Sequence, residues 1–280
     1  MSAIHWLGDD RCHDDELVGG KAASLSRLAA SHTVPHGFAV PALSASGPPL
    51  PAPLAAAIEV AYRALADRHG EHDPPVAVRS SAVDEDGSDA SFAGQHDTYL
   101  NIRGTEAVIQ AVQRCVLSAA SSEALAYRAQ RGLALDDVRI AVLVQELVAS
   151  DVSAVAFSAN PLTGGLDEIM INASWGLGES IVGGTVTPDT FVVTKQRTEI
   201  VWKAVALKER MTVLAESGTL EVEVPPDLRS RPSLDDARIL EVARLVTLLE
   251  ATSGFPVDIE CAIARDTLFL LQCRPITTLR

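Results

Sequence analysis

Cysteine is scarce in this chain, with four in 280 residues, and the four are scattered. Cys12, Cys115, Cys261 and Cys273 form no CxxC pair and no finger-like spacing, which excludes a zinc ribbon and a dithiol redox motif. They read as free thiols of a reducing compartment. Basic residues are also few. Twenty-three Lys and Arg stand against 37 Asp and Glu, a formal net charge of −14. No basic cluster offsets that field, so nucleic acid is excluded as a partner. No apolar run approaches the ~20 residues of a membrane helix. The start, MSAIHWLGDD, lacks the basic and apolar segments of a signal peptide. A soluble, cytoplasmic protein is expected, with no membrane partner. What is present is a globular balance, 47% hydrophobic and 21% charged, in a chain long enough for one bilobed domain or two small ones.

The pattern predicts an α+β protein. Helical spacing covers Leu17 to Ala30 after a Gly-Gly turn, Leu54 to Arg68, Glu106 to Arg131 with interruptions, and Leu234 to Leu249 starting from Ser233. Strands are expected at Phe38–Val40, from Val76, over Ile140–Val148, Ala154–Phe157, Ile169–Ile171, Phe191–Thr194 and Glu199–Ala206. A strand pair over Val257–Ile263 and Thr267–Leu271 should turn at Arg265-Asp266. Pro41 to Pro53 reads as a surface connection. No internal repeat is visible. The lobes are expected at 1–140 and 141–280.

The segment from Val76 to Asn101, VAVRSSAVDEDGSDASFAGQHDTYLN, is the most informative. A β-branched strand delivers Arg79 into a loop of hydroxyls, acids and small residues, leaving through Thr98. A guanidinium gives phosphate bidentate, charge-assisted bonds, and amides beside a glycine such as Gly94 add donors. The net acidity means that an anionic ligand needs local cations and a divalent metal.

Other groups fit the same chemistry. In Gly19-Gly20-Lys21 a glycine turn opens a helix with a lysine at its anion-favouring end, although the pattern is not GxxxxGK[ST]. Gln145 and Glu146 interrupt an apolar run and need partners. They bond to neighbouring backbone, or they form a hinge whose backbone near Val148 meets an adenine edge. Period-two alternation places Asp258 and Glu260 on one strand face, and Gln272 and Arg274 on one face of the next. Hard oxygens there suit Mg²⁺, although a solvated polar face is the alternative. NASWGLGESIVGG, Asn172 to Gly184, reads as a mobile glycine loop or as structural turns.

Taken in order, VGGKAASLSRL, VPHGFAV, AVRSSAVDEDGSDASFAGQHDTYLN, VLVQELVASDVSAVAFSANPLTG, INASWGLGESIVGGTVTPDTFVV and FPVDIECAIARDTLFLLQCRPIT resemble the ATP-binding region of the phosphoenolpyruvate synthase and pyruvate phosphate dikinase family, especially its rifampicin phosphotransferase branch. The resemblance runs from Val18 to Thr277. It implies an ATP-grasp fold with two lobes of mostly antiparallel sheet and flanking helices enclosing ATP. Lys21, Arg79 and Arg274 would grip the phosphates, with Gly94 and Thr98 lining the phosphate loop. Gln145, Glu146 and the backbone near Val148 would bind adenine. Glu260 and Gln272 would hold Mg²⁺.

There are departures. Ala22 stands where the family usually has Asn, and the stretch from Lys21 to Arg79 is shortened. His96 occupies a position that is usually Gln, which argues against it as a phosphoryl acceptor. After RPIT the family continues into a swivelling histidine domain and an acceptor domain, for which this sequence supplies only Thr278, Leu279 and Arg280. The resemblance therefore implies the ATP-binding component of a dikinase-type phosphotransferase. ATP would yield AMP, phosphate and a phosphohistidine on a separate domain or protein, which then serves a small-molecule acceptor. The alternatives are a stand-alone ATP-grasp kinase or ligase, and a non-catalytic ATP-binding regulator.

Overall fold

The computed structural model describes residues 4–45, 50–83, 98–130 and 138–276. The chain divides into two compact units, Met1–Leu147 with Glu216–Gly218, and Val148–Ala215 with Thr219–Arg280. The division expected after residue 140 is displaced, because it would cut a strand, Arg139–Glu146, that lies in the middle of the first unit's sheet. Six consecutive residues of that strand, Ile140 to Gln145, are buried, as suits a strand covered on both faces.

In the first unit the elements are β1 (His5–Trp6), α1 (Asp15–Leu28), β2 (Gly37–Ser44), α2 (Ala52–His69), β3 (Val76–Ala82), β4 (Thr98–Ile102), α3 (Thr105–Ser118), α4 (Ser122–Gln130) and β5 (Arg139–Glu146). The five strands run in the order β1-β2-β5-β3-β4, every pair antiparallel. Alternation separates the two faces. Phe38, Val40, Val76, Val78, Ile140, Val142 and Val144 form a core with Ile58, Tyr62 and Leu65 of α2 and Val108, Val112 and Cys115 of α3. The Tyr62 hydroxyl in this core is satisfied, donating to Pro74 O and accepting from Gly104 N, each at 2.9 Å. The out-of-phase residues, among them Ala77, Arg79, Ser81, Leu143 and Gln145, lie on the face that α1 packs against.

Two expectations shift here. The strand predicted to stop at Val40 continues through Pro41 to Ser44, and the β2–β5 register slips between Val40 and Leu43. Proline has no N–H for the ladder, so an irregularity there is the natural accommodation. The long helix expected over Glu106–Arg131 with interruptions is two helices, α3 and α4.

The second unit contains β6 (Val152–Phe157), β7 (Glu168–Trp175), α5 (Glu179–Val182), β8 (Asp189–Thr194), β9 (Glu199–Ala204), β10 (Arg210–Leu214), β11 (Thr219–Glu223), α6 (Asp236–Ser253), β12 (Val257–Ala264) and β13 (Thr267–Pro275). Six strands make an antiparallel sheet ordered β13-β12-β6-β7-β8-β9, and β10–β11 is a separate hairpin that the sequence pattern did not reveal. The apolar face of this sheet includes Ile259, Ala156, Ile171 and Phe191, all fully buried. Helix α6 packs on it through Ile239, Val242, Val246 and Leu249, each 0% exposed. Each such side chain contributes about 1.5–3 kcal/mol on burial. The helix starts later than expected. Asp235 is its cap, accepting from Arg238 N at 2.9 Å. Ser233 instead gives both its N–H and its hydroxyl to Asp189 Oδ2, each at 2.7 Å. The β12–β13 turn falls at Arg265-Asp266 as predicted, with φ of 47° and 64°. Positive φ at both central residues is what the right-handed strand twist favours in a two-residue hairpin.

All four cysteines are free and buried. Burial pushes the Cys12 thiol up to about 11 and that of Cys261 up to about 12.

Candidate functional site

In the first unit the Gly-Gly-Lys turn is locked onto β3. Gly19 interrupts α1 at φ 74° and ψ 158°, so the helix resumes beyond it, as the glycine pair suggested. A side chain there is excluded twice over. The φ is one that L residues avoid, and a Cβ would stand 2.1 Å from the Ser81 carbonyl oxygen. Because Gly19 has no side chain to cap the resumed helix, Ser81 supplies the cap from β3. Its Oγ accepts from Ala22 N at 3.1 Å. Lys21 Nζ donates to Ser80 O at 2.9 Å. Ser80 and Ser81 are 0% exposed. The two hydroxyls expected in the loop after Arg79 still belong to β3, and Ser81 is a buried helix cap. It also takes one of the amides that an anion would otherwise use.

Arg79, the residue before this interlock, is partly buried and pairs across the strands with Thr98, which is exposed. The structure therefore brings Lys21, Arg79 and Thr98 to one region of the first sheet. Gly94 and His96 lie outside the described residues.

The adenine candidates fare differently. Gln145 shares the face of Arg79 but is 2% exposed, and its Nε2 donates to Pro35 O at 3.2 Å. Its amide nitrogen thus holds the backbone at Pro35, one of the two alternatives the sequence left open. Glu146 is out of phase, pairing with Val76 on the opposite face, so the sheet does not bring its side chain to Arg79. The amides of Glu146 and Leu147 donate to His36 O at 2.8 Å and Pro75 O at 2.9 Å. Val148 opens the second unit.

In the second unit the expected strand pair forms. Glu260 stands directly opposite Gln272 and Asp258 opposite Arg274. All four belong to one face, because the ladder keeps period-two phase up to the irregularity between Glu260 and Cys261. Arg274 Nε lies 2.8 Å from Asp258 Oδ1 and 2.9 Å from Oδ2. Burial raises the Asp258 carboxyl above its ordinary value and the Glu260 charge adds to this, while the bonds and charge of Arg274 act in the opposite direction.

The same row continues from Glu260 through Val155 to Asn172 and Thr190. The Asn172 Oδ1 accepts from the Thr190 hydroxyl at 2.9 Å. Asn172 is thus a further polar member of this face. The alternation in EIMINASW, which sets Met170, Asn172 and Ser174 in phase, was the signal that could have found it.

Mg²⁺ fits this donor set. Glu260 and Gln272, at facing positions, could offer it hard oxygen atoms, and waters and phosphate oxygens would complete its ligands. Among the described residues no group of three or more His, Cys, Asp and Glu forms an all-protein metal cage. Among them, too, no helix is long and apolar enough to cross a membrane.

The glycine-rich stretch after Asn172 is anchored at Gly176. Gly176 has φ 77°, and a Cβ on it would lie 2.3 Å from Thr212 O. Its carbonyl accepts from the hydroxyls of Ser150 at 3.0 Å and Ser153 at 2.8 Å. Gly176 is thus a structural turn.

Comparison with known proteins follows the same lines. The family described as pyruvate phosphate dikinase, AMP/ATP-binding domain, matches residues 43–280. A probable phosphoenolpyruvate synthase of Methanocaldococcus jannaschii is 38% identical over all of this chain and 27% of its own length. The phosphoenolpyruvate synthase of Pyrococcus furiosus is 43% identical over 82% of this chain and 29% of its own. The rifampicin phosphotransferase of Bacillus subtilis is 42% identical over 72% and 23%. The chain thus spans between 23% and 29% of the length of these three relatives. A D-alanine–D-alanine ligase structure from Helicobacter pylori aligns with 92% of the chain and 56% of its own, at TM-score 0.38 and 11% identity, a likeness too slight to carry an argument.

Proposed function

The chain belongs to the pyruvate phosphate dikinase AMP/ATP-binding domain family, and on that footing we propose that it is the Mg-ATP-binding component of a dikinase-type phosphotransferase. The fold type we assign is the ATP-grasp. Lys21, Arg79 and Arg274 neutralise the phosphates, Gly94 and Thr98 line them, and Glu260 and Gln272 seat the magnesium. Adenine is met by backbone near Val148, with Gln145 fixing the strand end that leads there. Phosphoryl transfer needs little covalent chemistry from the protein, and positioning with charge neutralisation carries it. The phosphoryl group passes to a histidine on another domain or protein, and from there to a small-molecule acceptor.

The observation that most supports this reading is the pairing of Glu260 with Gln272 next to Asp258 with Arg274. It sets two metal-competent oxygens beside a phosphate-competent cation on one strand pair.

Product analysis tests the proposal. Incubation with Mg-ATP and a separately supplied histidine-domain protein should give AMP, phosphate and a phosphohistidine. ADP formed directly with a small acceptor, and no AMP, would refute the dikinase assignment.

A further inference from the structure

Asp258 is 8% exposed, while Glu260, two residues along the same face, is more open. Both Asp258 oxygens accept from a single donor, Arg274 Nε, at 2.8 and 2.9 Å. A buried carboxylate needs such a partner, and here the partner is already provided by the protein. A metal would have to compete with the guanidinium for both oxygens. Glu260 and Gln272 form the adjacent cross-strand pair, about 7 Å further along the strand. Seated through Nε, the planar Arg274 group has its orientation set, and orientation is what distinguishes guanidinium recognition of phosphate from that of a freely rotating ammonium.

We propose that Asp258 is a positioning residue that fixes the Arg274 guanidinium for the polyphosphate of the bound nucleotide, and that it is not a ligand of the magnesium. This rests on the Mg-ATP reading above.

The test is calorimetric titration of the full chain with Mg²⁺ and either AMP or the non-hydrolysable β,γ-imido analogue of ATP. Wild type, Asp258→Asn, Arg274→Ala, the double variant and Glu260→Gln are compared. Mn²⁺ affinity in the presence of the analogue is read by electron paramagnetic resonance. Asp258→Asn should weaken the triphosphate analogue by about ten- to a hundredfold, the worth of charge-assisted hydrogen bonds. AMP affinity and Mn²⁺ affinity should stay at wild-type levels. Asp258→Asn should add no loss to Arg274→Ala. If Asp258→Asn does not fold, Arg274→Lys takes its place, since it keeps the charge but has no Nε donor. It should show the same selective loss of the triphosphate.

Wild-type affinity for the analogue in the variant that folds would overturn the role of Asp258. So would an equal loss for AMP, or a loss of Mn²⁺ affinity matching that of Glu260→Gln. Wild-type protein that binds neither nucleotide would instead overturn the Mg-ATP reading itself.

Discussion

Replacing Gly19 by alanine should disrupt the contact between α1 and β3 in the first unit more than any other single-methyl addition there. Its backbone sits at φ 74° and ψ 158°, a region used almost only by glycine, where another residue costs about 1–3 kcal/mol. The new Cβ would also meet Ser81 O at 2.1 Å, so the α1–β3 contact must open. Opening it forfeits the Ser81 cap, worth about 1 kcal/mol, and the Lys21–Ser80 bond, worth about 0.5–1.5 kcal/mol. Adding the midpoints of these effects gives a loss of about 4 kcal/mol.

Gly70→Ala is the internal control. Gly70 has φ 77° but nothing within 4 Å of its added Cβ, so the left-handed penalty of about 1–2 kcal/mol stands alone. Urea unfolding compares the two variants, and hydrogen exchange in β3 and β5 locates the damage. Equal losses in both variants, or undisturbed exchange at Ser80 and Ser81 in Gly19→Ala, would refute the reasoning.

Two further outcomes follow from the second unit's buried ion pair and the first unit's edge. Lys208 Nζ lies 2.6 Å from Asp189 Oδ1, both side chains fully buried. Asp189→Asn strands the lysine charge and should cost about 3–5 kcal/mol. Asp189→Asn with Lys208→Met should recover much of that in thermal melts, and no recovery would show that the charge is not the cause. The buried imidazole of His5 is held below its ordinary 6.5, first by desolvation and then by Arg11. The unfolded chain therefore takes up this proton at a higher pH than the folded one, so the contribution is complete above 6.5 and stability falls as pH drops below it. His5→Asn should flatten that fall in urea titrations, and an unaltered slope would exclude His5 as its source.

The parts of the fold and candidate site that were legible in the sequence are those written in short-range pattern. Period-two alternation placed Asp258 with Glu260 and Gln272 with Arg274, but their register was not legible: the turn at Arg265-Asp266 alone would set Glu260 opposite Leu271, and the one-residue shift between Glu260 and Cys261 brings it opposite Gln272. The glycine pair before Lys21 correctly marked a break ahead of a helix. What escaped depended on contacts far apart in sequence. Ser81 caps Ala22 across 59 residues, and nothing local distinguishes a capping serine from a loop serine. Lys208 reads as an ordinary surface lysine until Asp189, 19 residues away, is placed beside it. Gln145 is intermediate. Its position within an apolar run signalled a need for a partner, but only the fold shows that Pro35 O meets it.

The central claim is the proposal that this chain binds a magnesium nucleotide. Calorimetry of the β,γ-imido ATP analogue against this chain, with and without Mg²⁺, tests it most directly. The account predicts one site that requires Mg²⁺, lost in Arg79→Ala and freed of its metal requirement, with weakened affinity, in Glu260→Gln. No binding by wild type, or binding untouched by both substitutions, would contradict it.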